Sequence, residues 1–163
     1  MDDFKTLGYS DSYFDGDKET GVSTSGYTMS LGSAAVSWIS RKQSVPANST
    51  TETEYVAAVE ATKEIVWIRN ILEDLQEKQE NSTPLLIDNN SAIKPAKNPR
   101  FHDRTKHINT KYHLIRHHVE AKTVHLRHCS TNDQVADIFA KALGRDKFER
   151  FRNMLGLTNT PSD

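Results

Sequence analysis

The chain has 163 residues, a formal net charge of −1 and 36% hydrophobic residues, values typical of one soluble globular domain with a buried core. It holds no run of about 18 apolar residues, which excludes a membrane-spanning helix. The N-terminus, MDDFKTLGYS, lacks the basic-then-apolar pattern of a secretion signal. A single cysteine, Cys129, excludes an internal disulfide framework and fits a reducing compartment. We therefore expect an intracellular, soluble protein.

Charge is distributed unevenly along the chain. Residues 94–128 hold nine Lys or Arg against two acidic residues, together with all seven histidines. The remainder carries 12 Lys or Arg against 20 Asp or Glu. A polarised chain of this kind can bind a polyanion such as nucleic acid with its basic part and cations with its acidic part. The basic part can equally be a solvated helix, and charge alone leaves both interpretations open.

The first third of the chain predicts an antiparallel meander. Residues 6–13 alternate in the manner of a strand, and the Gly-, Asp- and Ser-rich residues 15–23 indicate a turn. Two further β-type runs, at 24–31 and 34–40, are separated by Gly32-Ser33, which is a hairpin signal.

The rest of the chain predicts helices alternating with strands. After the polar run 48–51, apolar residues recur every three or four positions to about residue 78, which indicates a long helix. The later predicted elements are a strand at 84–88, a short helix at 90–97, a helix at 110–121, a strand at 123–127, and helices at 132–142 and 145–155. The order predicts an α/β fold, in which a mixed sheet of five strands is flanked by helices.

Four carboxylates fall where this fold could bring them together. Asp11 lies near the end of the first strand, Glu54 in the first turn of the long helix, Asp88 at the end of the fourth strand, and Asp137 early in a C-terminal helix. In an open sheet, ligand sites form beyond the strand ends where the strand order reverses, so Asp11 and Asp88 could face each other. Adjacent carboxylates repel each other, and two bound divalent cations usually compensate this repulsion.

Glu54 also has a purely structural interpretation. With Thr51 it completes a Thr-x-x-Glu capping box at the start of the long helix. Ser49 and Glu52 make the same box, however, so capping does not require Glu54. Glu52 and Glu54 point roughly 200° apart around a helix, and at most one of them can face a shared site.

The other acids have structural interpretations too. Asp88 precedes Asn89-Asn90 and could be a helix N-cap. Asp137 could favour the positive end of a helix. Asp15 and Asp17 fit the turn after the first strand. No single acid decides between these interpretations, and the case for a site rests on all four together.

Several motifs, taken in order, match a known family. They are GYSDSYFDGD…STSGY, AVSWISRKQ, STTETEYVAAVEATKEIVWIR, LIDNNSAI, NPRFHDRTKHI…YHLIR and NDQVADIFAK. Together they resemble the ribonuclease H domain at the C-terminal end of copia-type LTR retrotransposon polyproteins. The resemblance covers roughly residues 8–143. Residues 1–157 are expected to form a single ribonuclease H-like domain, followed by a disordered tail at 158–163.

The resemblance implies a five-stranded ribonuclease H fold and hydrolysis of the RNA strand of RNA–DNA hybrids by a two-metal mechanism. By motif, it implies that the four catalytic, metal-binding carboxylates are Asp11, Glu54, Asp88 and Asp137. Mg²⁺ is the expected metal, with Mn²⁺ able to substitute. Asp11 is expected to be shared by both ions, with Asp88 and Glu54 on one side and Asp137 on the other.

A ribonuclease H would also need to recognise its hybrid. Polar side chains near the site could contact the 2′-hydroxyl groups of RNA, and the candidates are Ser12, Asn89, Asn90 and Ser91. Basic side chains could contact phosphates with little sequence preference, and the candidates are Arg104, Lys106, Lys111 and Arg116. The reverse transcriptase domain of the same polyprotein is an expected partner. The expected location is the cytoplasm, in a virus-like particle, or the nucleus, and not a secreted one.

Three other functions stay open. Integrase-like nucleases share such a fold but carry their glutamate last, whereas here Glu54 comes second and two aspartates follow. A domesticated or inactive domain could bind nucleic acid or protein without cleaving. A zinc module could be built from Cys129 and the histidines, in which His113 and His117 have helical ligand spacing. No paired-cysteine pattern supports the zinc module.

Overall fold

The computed structural model describes residues 5–17, 21–44, 46–97 and 106–157, without the side chains of 15–17, 95–97 and 106–112. The expected tail at 158–163 lies outside the described residues. The described elements are β1 (Thr6–Asp17), β2 (Val22–Leu31), β3 (Ala34–Lys42), α1 (Thr50–Asp74), β4 (Thr83–Ile87), α2 (Asn90–Lys97), α3 (Lys106–Glu120), β5 (Val124–His128), α4 (Asp137–Ala140) and α5 (Arg145–Met154).

The five described strands form one mixed sheet in the order β3-β2-β1-β4-β5. β1, β2 and β3 pair antiparallel, and β4 and β5 extend the sheet through parallel pairing. Gly32 has a φ of 61°, the left-handed conformation that glycine adopts without strain, and it makes the predicted turn between β2 and β3. The predicted fold class is therefore confirmed, including the adjacency of the first and fourth strands.

Two apolar clusters lie on opposite faces of the sheet. Gly8 lies against Met29 and Leu85, which belong to the larger cluster packed under α1. Tyr9, the next residue of β1, packs against the second cluster, centred on Phe151 of α5. Successive side chains of a strand point to opposite faces, so α1 and α5 cover opposite faces of the sheet. Among the described residues, no helix is long and apolar enough to cross a membrane.

The predicted helix at 132–142 is wrong in its first half. The described helix α4 begins only at Asp137, and residues 131–136 form turns. The amides of Asp137, Ile138 and Phe139 donate to carbonyls three residues back, rather than four. The cause is Gln134, whose fully buried side chain bonds to the sheet and cannot lie on a solvated helix face.

Candidate active site

Three of the four predicted carboxylates converge at one edge of the sheet. Asp11 comes from β1, Glu54 from the first turn of α1, and Asp88 follows β4 directly. One carboxylate oxygen of each lies within 4.8 Å of the others. This is the one group of three or more potential metal ligands found among the residues that the structure describes. We call it the carboxylate triad.

The separation of Asp11 and Asp88 is set by Gln134. The parallel pairing of β1 with β4 runs through Tyr9 and Leu86. Just beyond it, Nε2 of Gln134 donates to the carbonyl of Ser10 at 2.9 Å and to that of Leu86 at 3.3 Å. The amide thus bridges the two strands one residue before Asp11 and two residues before Asp88.

Glu54 is available to the triad because other residues cap α1. Ser49 is the N-cap, and its Oγ accepts from the amide of Glu52. Glu52 in turn accepts from the amide of Asn48 at 2.9 Å, which is one residue earlier than in the standard capping box. The alternative in which Glu54 caps the helix is therefore wrong. Thr53 also ties this turn to β1, because its Oγ1 accepts from Ser12 at 2.8 Å.

Asp88 is likewise free of the capping role. Asn89 caps α2, since its Oδ1 accepts from the amide of Ser91 at 2.8 Å. Asp88 instead accepts a hydrogen bond at Oδ2 from Thr131 Oγ1 at 3.1 Å. The ring of His128 lies 3.1 Å from the backbone oxygen of Asp88. These contacts come from the last residue of β5 and from the turn after it, and they hold Asp88 beside Asp11.

Asp137 reaches the site through a close contact between backbones. A Cβ added at Gly26 would lie 2.9 Å from the backbone of Ala136, Phe139 and Ala140, so the absence of a side chain allows α4 to lie directly on β2. Gly26 is paired with Asp11 across the sheet. The first turn of α4 therefore brings the fully buried Asp137 next to Asp11, beside the carboxylate triad.

Two lysines neutralise Asp137. Nζ of Lys141 lies 2.8 Å from Oδ1 of Asp137 and 3.4 Å from Oδ2 of Asp11. Nζ of Lys147, on α5, lies 2.5 Å from Oδ2 of Asp137 and donates to the carbonyl of Thr131 at 3.2 Å. Each oxygen of Asp137 thus lies within ion-pair distance of an ammonium group, which stabilises a fully buried carboxylate, although Oδ1 makes no well-directed hydrogen bond.

The site holds protons that a cation could displace. Burial, together with a hydrogen bond shared with Asp137, raises the pKa of Asp11 to about 8. Burial also raises the pKa of Glu54 to about 7, although a hydrogen bond with Asn89 lowers it. For Asp137, burial alone would raise the pKa, but its hydrogen bonds with Asp11 and the two lysines hold the pKa below the ordinary value.

The carboxylate triad fits a hard divalent cation. Carboxylate oxygens are the ligands that Mg²⁺ and Mn²⁺ favour. Oε2 of Glu54 is buried, and no hydrogen-bond donor reaches it from the described part of the chain. A buried carboxylate oxygen without a partner is costly unless a cation binds there.

The predicted contacts to nucleic acid divide into three groups. Ser12, Asn89, Asn90 and Ser91 border the triad, and Asn90 and Ser91 are exposed. Arg116 lies half-buried on α3. Arg104 lies outside the described residues, as do the side chains of Lys106 and Lys111. The structure does not test these assignments, which stay predictions.

Sequence reasoning missed the residues that position the carboxylates, namely Gly26, Thr131, Gln134, Lys141 and Lys147. Gly26 stands in STSGY, where a glycine inside a strand is itself a signal of close backbone approach. Gln134 and Lys141 both stand in NDQVADIFAK, the motif that supplied Asp137. Thr131 precedes that motif by one residue, and Lys147 stands outside every quoted motif.

Comparison with solved structures identifies the class of fold. The N-terminal RNase H domain of a Mycobacterium tuberculosis protein, solved as a fusion with maltose-binding protein, matches with a TM-score of 0.59 and 12% identity, over 92% of this chain and 97% of that one. LC11-RNase H1 in complex with an RNA/DNA hybrid also has a TM-score of 0.59, with 12% identity, over 83% of this chain and 93% of that one. The protein therefore has the ribonuclease H fold.

Sequence comparison identifies the family. No protein-family model matches the chain. A retrovirus-related Pol polyprotein from transposon RE1 of Arabidopsis thaliana is 39% identical over 153 residues, which is 94% of this chain and 10% of the polyprotein. The chain spans about a tenth of the length of the curated relatives it matches. The chain is similar to a segment of these transposon Pol polyproteins and has the ribonuclease H fold, and the resemblance carried by its motifs is confirmed.

Proposed function

We propose that the protein is an endonuclease that hydrolyses the RNA strand of RNA–DNA hybrids, as in retrotransposon reverse transcription. The observation that carries the proposal is the carboxylate triad, with one oxygen each from Asp11, Glu54 and Asp88 within 4.8 Å. The ribonuclease H fold and the transposon Pol relatives support a nuclease of this type. The hybrid bound to LC11-RNase H1 supports the choice of substrate.

Asp11, Glu54 and Asp88 would hold one divalent ion, and Asp11 with Asp137 would hold a second. Bound ions of this kind lower the pKa of a water and stabilise charge on the departing oxygen of a phosphate ester. β1 continues to Asp17, into the segment predicted as a turn, so Asp11 lies in the middle of β1 rather than near its end. The protein's own part would be to fix the carboxylates beside this point, where β4 ends and a backbone phosphate of the hybrid could approach. Attack by a water molecule on the phosphorus would break the bond to the 3′ oxygen, which takes up a proton, and would leave a 5′-phosphate and a 3′-hydroxyl.

Recognition of the hybrid would involve two surfaces. Ser12, Asn89, Asn90 and Ser91 border the triad, where 2′-hydroxyls of the RNA strand would lie. The basic segment 94–128, through Arg104, Lys106, Lys111 and Arg116, would contact phosphates without reading sequence. We further propose that the reverse transcriptase portion of the same polyprotein is a partner, and that the protein works inside the cell.

The test is cleavage of a labelled RNA–DNA hybrid in Mg²⁺ or Mn²⁺, with single-stranded RNA and duplex DNA as competing substrates. Asp88→Asn should abolish cleavage without changing the circular dichroism spectrum, because it removes one triad ligand. Asp74→Asn, at the exposed end of α1, is the matched control and should cleave normally. Substantial Mg²⁺-dependent cleavage by Asp88→Asn would overturn the site assignment.

A second test addresses the basic segment. Double charge reversal at Lys106 and Lys111 should reduce the dependence of hybrid affinity on salt concentration by about one unit of slope for each lost phosphate contact. Charge reversal at Lys63, which is exposed on α1, is the control. An unchanged salt slope in the double variant would remove the segment from the interface. Hybrid binding without any cleavage would instead identify an inactive binding module.

A further inference from the structure

The ammonium of Lys141 lies between the two carboxylates that would share a second divalent ion. It is 2.8 Å from Asp137 and 3.4 Å from Asp11, through oxygens that face each other across the site. Lys141 follows α4 directly and stands one helical turn after Asp137. The backbone contact at Gly26 holds α4 in place, and with it the position of Lys141.

The two sides of the site therefore differ in their supply of positive charge. On one side, both oxygens of Asp137 contact lysine ammonium groups, from Lys141 and Lys147. On the other side, Glu54 Oε2 has no donor among the described residues, and Asp88 accepts from the neutral hydroxyl of Thr131. Asp11 is common to both sides.

A divalent ion and the ammonium of Lys141 cannot share the space between Asp11 and Asp137. An ion bound to both carboxylates would lie within a few ångströms of Nζ, where like charges repel strongly in a partly buried site. In the triad, one oxygen each of Asp11, Glu54 and Asp88 lies within 4.8 Å of the others, and of these three residues only Asp11 forms a described ion pair with Lys141. One ion can therefore bind beside Lys141, and a second requires Lys141 to leave.

We propose that Lys141 is a resident cation in the Asp11–Asp137 half of the site, so that the protein without nucleic acid binds one divalent ion and not two. The proposal rests on the proposed function for its assignment of the ligands. In this arrangement Lys141 is a positioning residue, which keeps Asp11 and Asp137 in place before substrate arrives. A phosphate group of the substrate is the anion that can accept the ammonium when it leaves the carboxylates.

The test is the number of Mn²⁺ ions bound by the metal-free full chain without nucleic acid, measured by isothermal titration calorimetry and by electron paramagnetic resonance. The unchanged protein should bind one ion. Lys141→Met keeps the length of the side chain but removes its charge, and it should bind two ions with the spin-coupled signal expected at about 4 Å separation. Lys63→Met is the matched control and should bind one. Two ions in the unchanged protein, or one ion in folded Lys141→Met, would overturn the proposal.

Two further variants decide the question if Lys141→Met does not fold by circular dichroism. Asp137→Asn should still bind one ion, because the first ion uses the triad, whereas Asp88→Asn should lose it. Loss of the ion in folded Asp137→Asn would overturn the proposal.

Hybrid cleavage is measured separately. A protein that cleaves hybrid but binds two ions without substrate contradicts only the role of Lys141, and one that binds a single ion but cleaves nothing contradicts only the proposed function.

Discussion

The two halves of the site contain the same kind of side chain in opposite surroundings. Asp137 is fully buried and forms ion pairs with two ammonium groups, whereas Glu54 and Asp88 are half-buried and form no ion pair with a lysine among the described residues. A fully buried carboxylate without a partner costs several kcal/mol, so Asp137 can be kept in the fold only with a built-in cation. Glu54 and Asp88 are open enough to water for an external cation to take that role.

The difference also explains why positioning the carboxylates of the site requires both Gly26 and Gln134. Gly26 lets α4 approach β2 and so determines the Asp137 half. Gln134 bridges β1 and β4 and so determines the triad half. Asp11 belongs to both halves, because it lies in the triad and contacts Lys141. Variants at these residues can therefore disturb one half, the other, or both.

The largest effect is expected for Asp11→Asn, which removes the carboxylate shared by both halves. Cleavage of the hybrid should become undetectable, while the metal-free protein should be more stable than the unchanged one. The pKa of Asp11 is raised to about 8 from an ordinary value of 3.8, so the folded state retains a proton that the unfolded state has lost. Asp11 thus contributes most to stability below about pH 4, and this contribution is lost as the pH rises toward 8.

Thermal unfolding in a chelator, from about pH 5 to 8, checks this prediction. The melting temperature of Asp11→Asn should exceed that of the unchanged protein by a margin that grows with pH across the window. Asp74→Asn, which changes an exposed carboxylate, should show no such growth. A margin that stays constant across this window would show that Asp11 is already ionised in the folded, metal-free state.

The next largest effect is expected for Gly26→Ala, which acts on the Asp137 half. The added Cβ would meet backbone atoms of α4 at 2.9 Å, and backbone cannot rotate away. We expect a loss of about 1–3 kcal/mol in the free energy of unfolding, together with a large loss of cleavage as Asp137 moves from Asp11. Chemical denaturation and hybrid cleavage measure the two effects.

Gly144→Ala is the matched control for this variant. Gly144 precedes α5 with a negative φ, and an added Cβ there would meet nothing within 4 Å. It should therefore change neither the free energy of unfolding nor cleavage. Equal losses in the two alanine variants would mean that the general cost of replacing glycine, rather than the contact with α4, is responsible.

The sequence predicted which carboxylates would lie close together but not the residues that hold them. Asp11 and Asp88 could be predicted as neighbours because strand order follows from short connections and parallel crossovers. Gln134 could not, because its partner Ser10 lies 124 residues away and the segment 132–142 has a helical pattern. Local periodicity carries no information about a side chain that bonds to a distant strand. Lys141, four residues after Asp137, has the spacing of an ordinary surface ion pair on a helix.

A smaller effect is expected for Gln134→Leu, which acts on the triad half. The variant keeps roughly the same volume but removes both donors to the carbonyls of Ser10 and Leu86, so β1 and β4 can separate below Asp11 and Asp88. We expect Mn²⁺ affinity and cleavage to fall by about 10–100-fold, as for other residues that orient metal ligands. Titration calorimetry of the folded variant measures the loss.

Asn132→Leu, in the same turn but exposed, is the control for Gln134→Leu and should bind Mn²⁺ normally. The two halves should also respond differently. Gln134→Leu should weaken the ion at the triad, whereas Gly26→Ala should leave that ion closer to its original affinity. Equal weakening in both variants would mean that the two halves are not positioned independently.

A change of pH sharpens the comparison of the two halves without a mutation. Divalent ions bind the ionised carboxylates, and the pKa values of Asp11 and Glu54 are raised to about 8 and about 7. Mg²⁺ must therefore displace protons from the triad, and its affinity should rise between about pH 6 and 8 by up to tenfold per unit for each proton released. Calorimetry in buffers with different ionisation enthalpies counts those protons.

Two variants separate the carboxylates that release them. Glu54→Gln should release fewer protons, and its Mg²⁺ affinity should rise less steeply with pH. Asp137→Asn should keep most of the pH dependence, because in the unmutated protein the two lysines and Asp11 already lower the pKa of Asp137. Affinity that does not change with pH would mean that the triad is already ionised before the metal binds.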